Sequence, residues 1–309
     1  ANTEIKSNDG KTAEEIARKC GHTEIAILIQ NHTKKKIPLA GVIGNPISHS
    51  LSPALHQYWL KQNKLAGHYI PLHITTELLS ETIEFLPKIG FKGVNITIPH
   101  KTNIIPLVHN LTDRAALIGA VNTLHFNIDG YVTGDNTDAY GFIESIRQAE
   151  PTWKATDGPA MVFGAGGAAR AIVWALLAQG APEVRVANRT KHKAIALVDI
   201  LGAKVRVVDW MDLESELSDV MTFVNTTSMG MKGSITFNRD ISNLPINSLV
   251  VDLVYNPLET DLIRRARDLG LRSVDGLGML GHQAVPGFEK WFGVKPVVTE
   301  EVKTVLNRF

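Results

Sequence analysis

The chain has 309 residues, 44% of them hydrophobic, with 32 Lys and Arg against 31 Asp and Glu for a formal net charge of +1. That balance suits an ordinary soluble chain of about two domains and argues against nucleic-acid or membrane-surface binding. No apolar run of roughly eighteen residues occurs, and the first residues lack the succession of a signal peptide. The single cysteine, Cys20, excludes an internal disulfide framework. Histidines are scattered without metal-ligand spacing, so no metal is expected and the cytoplasm is the default setting.

Taken in order, the stretch from Gly10 to Ile29 predicts two helices meeting at Gly21-His22, and it resembles one ankyrin repeat. One repeat cannot bury its own apolar face. A hairpin packed on the body, or a fusion remnant, is therefore expected rather than a partner-docking arm. Lys34-Lys35-Lys36 reads as a solvated linker that closes a separate segment, residues 1–36.

From Ile37 strands and helices alternate. Strands are predicted at Ile37–Ile43, His68–His73 and Gly93–Ile98, with helices at Pro53–Lys64 and Leu78–Ile89; Ser52 is the expected N-cap and Pro53 the first helical residue. A short helical stretch follows Lys101 and another spans Thr112–Gly119. Strands Val121–Asn127 and Tyr131–Gly134 join across Ile128-Asp129-Gly130, a hairpin signal. A helix over Ala139–Glu150 and a connection over Pro151–Pro159 lead into six further strands, Ala160–Phe163, Glu183–Ala187, Lys204–Val207, Thr222–Asn225, Leu249–Val254 and Arg272–Asp275. Their rhythm is that of a doubly wound parallel sheet. Beyond Gly278 the chain is helical, with Pro286 as a kink and Thr299 as a cap. Having no partner strand, these helices are expected to return to the first domain.

The strand Ala160–Phe163 runs into Gly164-Ala165-Gly166-Gly167-Ala168-Ala169-Arg170 and a helix over Ala171–Gln179, so the spacing is G-x-G-x-x-A between strand and helix. Gly164 permits the tight turn, Gly166 lets a pyrophosphate approach bare backbone, and Ala169 lets the helix pack on the strand. Where an NAD enzyme carries an acidic residue after the second strand, this chain has Asn188-Arg189-Thr190. A guanidinium fork and a hydroxyl suit a 2′-phosphate, which favours NADP. In the first domain, strand alternation puts Asn95 and Thr97 on one face, and Ser50 and Ser52 at a helix start offer a carboxylate seat. Asn122 and Asp138 could complete a site for a polyhydroxylated acid. Each also has a local role open to it: Ser52 and Asp138 as helix caps, Asn122 as a turn residue.

Gly44-Asn45-Pro46-Ile47-Ser48-His49-Ser50-Leu51-Ser52-Pro53, Asn95-Ile96-Thr97-Ile98-Pro99-His100-Lys101, Gly119-Ala120-Val121-Asn122-Thr123 and Gly134-Asp135-Asn136-Thr137-Asp138 stand in one order with the fingerprint, Asn188-Arg189-Thr190, Asn225-Thr226-Thr227-Ser228-Met229-Gly230, Val254-Tyr255-Asn256-Pro257 and Asp275-Gly276-Leu277-Gly278-Met279-Leu280. In that order, from about Pro38 to Val305, the chain resembles the shikimate dehydrogenases. The resemblance implies an α/β protein: an N-terminal substrate domain (37–142, joined by helices within 279–309), a Rossmann NADP domain (143–278) and a cleft between them. It implies NADP-linked interconversion of 3-dehydroshikimate and shikimate on the chorismate route to aromatic amino acids. Lys101 and Asp138 match the catalytic pair. Ser50 and Ser52 would bind the carboxylate, Asn95, Thr97, Asn122 and Gln283 the ring hydroxyls, and Tyr255 would lie near the substrate. Gly164, Ala165, Gly166, Gly167, Ala168, Asn188, Arg189, Thr190, Thr226, Ser228, Gly276 and Met279 match cofactor positions. Ala139, where Gly is common, and His282, where a small residue is frequent, depart from the pattern. The rivals are an NAD-using quinate/shikimate dehydrogenase and a non-catalytic NADP-binding scaffold whose N-terminal arm contacts a partner. A monomer or a homodimer paired through an edge strand is expected.

Overall fold

Two six-stranded sheets carry the computed structural model, which describes residues 6–7, 9–27, 37–127 and 129–306. The chain divides into two units, Ala1–Pro38 and Leu39–Phe309, and both sheets belong to the second. In the first unit a helix spans Ala13–Lys19 behind a capping box, in which the Thr12 hydroxyl accepts from the Glu15 N–H and the Glu15 carboxylate from the Thr12 N–H. Gly21, with φ +79°, turns the chain into a second helical stretch over 23–27 at the predicted junction. The rest of the expected hairpin and the Lys34-Lys35-Lys36 linker lie outside the described residues, as does Ile128 of the predicted hairpin turn.

The first sheet has the order β2-β1-β3-β5-β6-β4, with β1 Leu39–Gly44, β2 His68–His73, β3 Phe91–Ile96, β4 Asn110–Leu111, β5 Thr123–Phe126 and β6 Val132–Asp135. β1 pairs in parallel with β2 and β3, while β5 runs antiparallel to both β3 and β6. Period-2 alternation sorts its two faces. Val94 and Ile96 of β3 join Ile43, Ile83, Leu86 and Leu124 in one core, while Ala40 and Val42 of β1 pack with Leu55, Trp59 and Tyr69 in another.

The second sheet has the order β12-β11-β10-β7-β8-β9, all parallel: β7 Ala160–Phe163, β8 Val184–Ala187, β9 Val205–Val208, β10 Thr222–Asn225, β11 Leu249–Asp252 and β12 Arg272–Val274. Renumbered from its own first strand this is 6-5-4-1-2-3, the doubly wound order whose switch point lies between β7 and β10. Its central strands β7, β10 and β11 are mostly apolar on both faces, as a parallel sheet covered by helices requires. Ala160 and Val162 of β7 face the core that contains Ile172, Val173 and Leu176, and Met161 and Phe163 face the one that contains Phe223, Phe237 and Leu262.

Helix Gly276–Phe292 runs unbroken through Pro286, where the sequence predicts a kink. It returns to the first sheet, with Ala284, Val285, Phe288 and Trp291 closing the core around Trp59 and Tyr69. Thr299 caps the last helix, Glu300–Leu306, by accepting from the Val302 N–H. The approach to the sheet is close at Gly93, where an added Cβ would stand 2.1 Å from both the Leu124 carbonyl oxygen and Trp291 Nε1. The Trp291 indole N–H donates to that same carbonyl at 3.2 Å.

Gly93→Ala is therefore expected to lower unfolding stability by about 1–3 kcal/mol or more, the usual effect of overpacking against atoms that cannot yield. Urea denaturation measures it, and an unchanged midpoint would mean that the helix does not dock on this strand.

Candidate active site

Lys101 lies in the turn that follows β3, and Asp138 is the first residue of helix Asp138–Ala149 after β6. Their side chains meet: Lys101 Nζ donates to Asp138 Oδ2 at 2.5 Å, with only 14% of the lysine and 5% of the aspartate side chain exposed. Helix Asp138–Ala149 has Thr137 at its N-cap, and that residue makes no side-chain capping bond. The capping role open to Asp138 in the sequence is thus not the one it takes.

Asn122, immediately before β5, binds the other carboxylate oxygen. Its Nδ2 donates to Asp138 Oδ1 at 2.8 Å, to Thr137 Oγ1 at 3.0 Å and to Gln283 Oε1 at 3.2 Å, and its Oδ1 accepts from the Thr137 N–H at 2.8 Å and the Thr123 hydroxyl at 2.9 Å. The Thr137 hydroxyl donates to the Gln283 carbonyl at 2.8 Å, tying helix Gly276–Phe292 to the same cluster. That crossing is possible because position 141 lacks a side chain: a Cβ there would stand 2.6 Å from the Gln283 backbone nitrogen.

Asn95 points to the same face of the first sheet. Its Oδ1 accepts from the Tyr69 hydroxyl at 2.6 Å, and its Nδ2 donates to the Asn122 carbonyl at 3.2 Å and to Thr123 Oγ1 at 3.1 Å. Thr97 lies just past the end of β3, over Gly44, where an added Cβ would be 2.6 Å from its methyl. The expectation for Ser52 is corrected. Helix Ser52–Gln62 begins at Ser52 itself with Leu51 in the N-cap position, and it is Ser50 Oγ that accepts from the Ser52 N–H at 3.3 Å. Ser52 is buried in the first turn of that helix, and burial pushes the ionisation of the Tyr69 phenol far above its ordinary range. Tyr255 reaches this turn from beyond β11: burial raises its hydroxyl above 10, against the pull of the Leu51 backbone N–H on its oxygen. Nothing in the spacing singles out Thr137, Thr123 or Tyr69. Thr123 and Thr137 each lie inside a family motif without a role of their own, while Tyr69 reads as one buried position in an alternating strand.

Asp135, at the end of β6, fixes the segment that carries Asp138. Arg114 Nε donates to it at 2.6 Å, the Thr112 hydroxyl at 2.7 Å and the Asn136 N–H at 2.7 Å. Burial pushes its carboxyl up, but the Arg114 guanidinium and these hydrogen bonds outweigh burial and hold it below its ordinary 3.8. His100, next to Lys101, is buried with Nε2 2.7 Å from the Ile74 carbonyl, so its ring is committed elsewhere. His282 bonds the Gln148 amide oxygen at 2.9 Å, and burial lowers its pKa. Ala139 is packed in the core.

At the switch point of the second sheet the residues fit a dinucleotide. Gly164 has φ +118°, and a Cβ on it would strike Thr226 Oγ1 at 2.4 Å, so the turn demands glycine. Thr226 donates to the Phe163 carbonyl at 3.0 Å across the gap between β10 and β7. Gly166 is exposed, and a Cβ on it would meet nothing within 4 Å, which leaves backbone open to a phosphate. Helix Gly167–Ala178 begins there with no side-chain cap, so its first N–H groups are free for an anion. Ala165 and Ala169 are buried beneath the turn, and Ala168 is half-buried. After β8 the Asn188 amide donates to the Thr190 carbonyl at 2.8 Å and closes the turn that presents Arg189. The Arg189 side chain is exposed and makes no hydrogen bond or ion pair among the described residues, whereas Lys191 pairs with Asp209 at 3.2 Å. Ser228 is exposed in the loop after β10. That loop is braced by Asn225, whose amide donates to Asp252 at 2.9 Å; burial pushes the Asp252 carboxyl up to about 6 despite bonds from Thr260, the Val254 N–H and Asn225. Gly276 lies against the end of β11, where a Cβ would be 2.3 Å from the Leu253 carbonyl, and Met279 is buried one turn later.

Two family models match the chain, one described as the shikimate dehydrogenase substrate binding domain over residues 42–124 and one as shikimate / quinate 5-dehydrogenase over residues 147–278. Neither reaches the N-terminal hairpin, and the ankyrin-like resemblance of that segment gains no support. A shikimate dehydrogenase (NADP(+)) of Cereibacter sphaeroides is 53% identical over 271 residues, covering 88% of this chain and 97% of its own. Among solved structures, shikimate 5-dehydrogenase from Thermus thermophilus in complex with NADP(H) and shikimate matches with a TM-score of 0.78 and 34% identity, over 87% of this chain and 98% of that one. Quinate dehydrogenase from Corynebacterium glutamicum in complex with NAD matches with a TM-score of 0.81 and 31% identity, over 88% and 99%.

Because the folded Asp135 carboxyl lies below its ordinary 3.8, the stabilisation it receives is complete above that value and is lost as the pH falls through the folded value. Arg114→Leu is expected to lower stability by about 1–2 kcal/mol at neutral pH, the half-exposed guanidinium being partly screened. The difference from wild type should hold down to about pH 5 and shrink below about pH 4. A difference independent of pH across that window would assign the effect of Arg114 to packing.

Proposed function

The chain belongs to the shikimate dehydrogenase family, and from that premise we propose that it catalyses the reversible, NADP-dependent reduction of 3-dehydroshikimate to shikimate with Lys101 and Asp138 as its proton-handling pair. The reaction serves the chorismate route to aromatic amino acids. The observation that carries the residue assignment is the 2.5 Å bond between Lys101 and Asp138, made by side chains thirty-seven positions apart.

Oxidising a secondary alcohol removes a hydride from carbon and a proton from oxygen. Bound NADP supplies the hydride acceptor. The chain handles the proton: in the oxidation Lys101 as the neutral amine takes it from the hydroxyl and becomes the ammonium, and in the reduction the ammonium stabilises negative charge developing on the carbonyl oxygen and returns the proton to it. Asp138 orients Lys101 through Oδ2 and is itself held through Oδ1 by Asn122. The amides of Asn122 and Gln283 meet at 3.2 Å and offer donors and acceptors to neighbouring ring hydroxyls. The hydroxyls of Ser50 and Ser52, with Tyr255 beside them, suit the carboxylate, and Asn95 and Thr97 line the sheet below. Binding across both sheets excludes water from the reacting bond.

For NADP, the turn Gly164 to Ala168 takes the pyrophosphate, Arg189 with Asn188 and Thr190 takes the 2′-phosphate, and Thr226, Ser228, Gly276 and Met279 line the path between the sheets. The domain limits follow: residues 37–142 with 279–309 for substrate and 143–278 for NADP. All these groups come from one chain, so turnover needs no partner subunit, whether the molecule is a monomer or a homodimer paired along the edge strand β2. No helix among the described residues is long and apolar enough to cross a membrane, and the single cysteine suits the cytoplasm. The N-terminal unit is read as a structural appendage without a part in turnover.

Lys101→Ala should lower kcat by about 10² to 10⁴-fold, the usual worth of acid–base assistance, while shikimate affinity by calorimetry stays within a few-fold of wild type. Near-normal turnover in that variant would remove Lys101 from the chemistry.

A further inference from the structure

Lys101 touches more than Asp138. A Cβ built on Gly167 would stand 3.0 Å from Lys101 Cβ, 3.3 Å from its Cδ and 3.7 Å from its Cγ, and these are the three nearest atoms. The lysine stem therefore lies against bare backbone where helix Gly167–Ala178 begins. The two residues come from different sheets, Lys101 following β3 of the first and Gly167 following β7 of the second. Nothing in the backbone asks for glycine at 167. Its φ is not in the left-handed region, and the first turn of a helix accepts alanine readily. What the missing side chain provides is room for the lysine.

The adjacent glycine behaves differently. Gly166 is exposed, and a Cβ there would meet nothing within 4 Å, so its open side faces the phosphate cradle rather than protein. A reciprocal contact lies nearby. Arg170, on the same helix as Gly167, places Nη1 3.0 Å from a Cβ built on Gly119, the left-handed C-cap of helix Asp113–Ile118. The two halves of the molecule thus meet through a side chain from each, seated on a glycine of the other.

We propose that Gly167 is a positioning residue for Lys101: it is the seat that fixes the lysine stem, so the turn that binds the cofactor also sets where the ammonium reaches the substrate. The inference rests on the proton-handling role of Lys101. A methyl at 167 requires the stem to move by a few tenths of an ångström, and its other end is bonded to Asp138 at 2.5 Å. Small displacements of this kind in a reacting group lower rates steeply, by up to about 10²-fold for an ångström.

The test compares Gly166→Ala, Gly167→Ala, Lys101→Ala and the double variant Lys101→Ala/Gly167→Ala, reading NADP affinity by quenching of intrinsic fluorescence and kcat at saturating NADP and shikimate. The loss at 166 should fall on NADP affinity. The loss at 167 should fall on turnover, with kcat down about three- to tenfold; because alanine keeps the backbone N–H that the turn offers the pyrophosphate, NADP affinity should stay within about threefold of wild type. In the Lys101→Ala background the Gly167 change should alter the residual kcat by less than about twofold, because the group it positions is gone. If the alanine variant melts early, the same readings are taken on all four variants below its melting temperature. A kcat unchanged in Gly167→Ala while Lys101→Ala is inactive would overturn this role alone, as would losses that multiply in the double variant. Normal turnover in Lys101→Ala would instead overturn the proton-handling role beneath it.

Discussion

The buried amide of Asn122 is the point on which the site depends. It joins the start of β5 to Asp138, Thr137 and Gln283, and its own backbone carbonyl accepts from Asn95 on β3. Four segments that are distant in sequence are thereby held within hydrogen-bond reach of one another. In a buried cluster each unmet donor or acceptor is worth roughly 1–3 kcal/mol, so the cluster favours one arrangement in which every partner is met. That arrangement holds Asp138 Oδ1 and leaves Oδ2 for Lys101.

The division of labour between the sheets follows from their topologies. The parallel sheet places its switch point between the paired strands β7 and β10, so the glycine turn and Thr226 lie at one mouth. The mixed sheet supplies polar side chains from β3, β5 and the loop after β6. Helix Gly276–Phe292 connects the two by starting at the end of the parallel sheet and finishing against Gly93 and Trp59 of the mixed one. Close backbone approach recurs at each junction: Gly93 under Trp291, Gly141 under Gln283, Gly167 under Lys101. Glycine is used at these points for proximity more than for conformational freedom.

Much of the fold was legible before any coordinates, because the second sheet is written in short apolar runs that alternate with helices, and β2, β7 and β10 fall on their predicted limits. The glycine turn was legible for the same reason: the backbone at Gly164 is a local demand, with φ +118° and no room for a Cβ. The Lys101–Asp138 pair was reached only through family resemblance, since a bond across thirty-seven residues leaves no periodic trace. Ser52 reads as a cap because a serine before proline satisfies every local rule, yet the helix takes Leu51 at that position and Ser50 accepts from the Ser52 N–H. Thr137 and the Arg114–Asp135 bond escaped notice because their geometry comes from packing between β6 and the helix after it.

The most direct measurement follows NADPH absorbance for the unmodified chain with shikimate or quinate, each paired with NADP and with NAD. Turnover with shikimate and NADP is expected, with kcat/KM about ten- to a hundredfold above the NAD value, the range that a charge-assisted contact from Arg189 to a 2′-phosphate supplies. A ratio at or below one, or a preference for quinate, would contradict the cofactor and substrate assignment. Binding of NADP without turnover of either acid would contradict the catalytic assignment of Lys101 and Asp138.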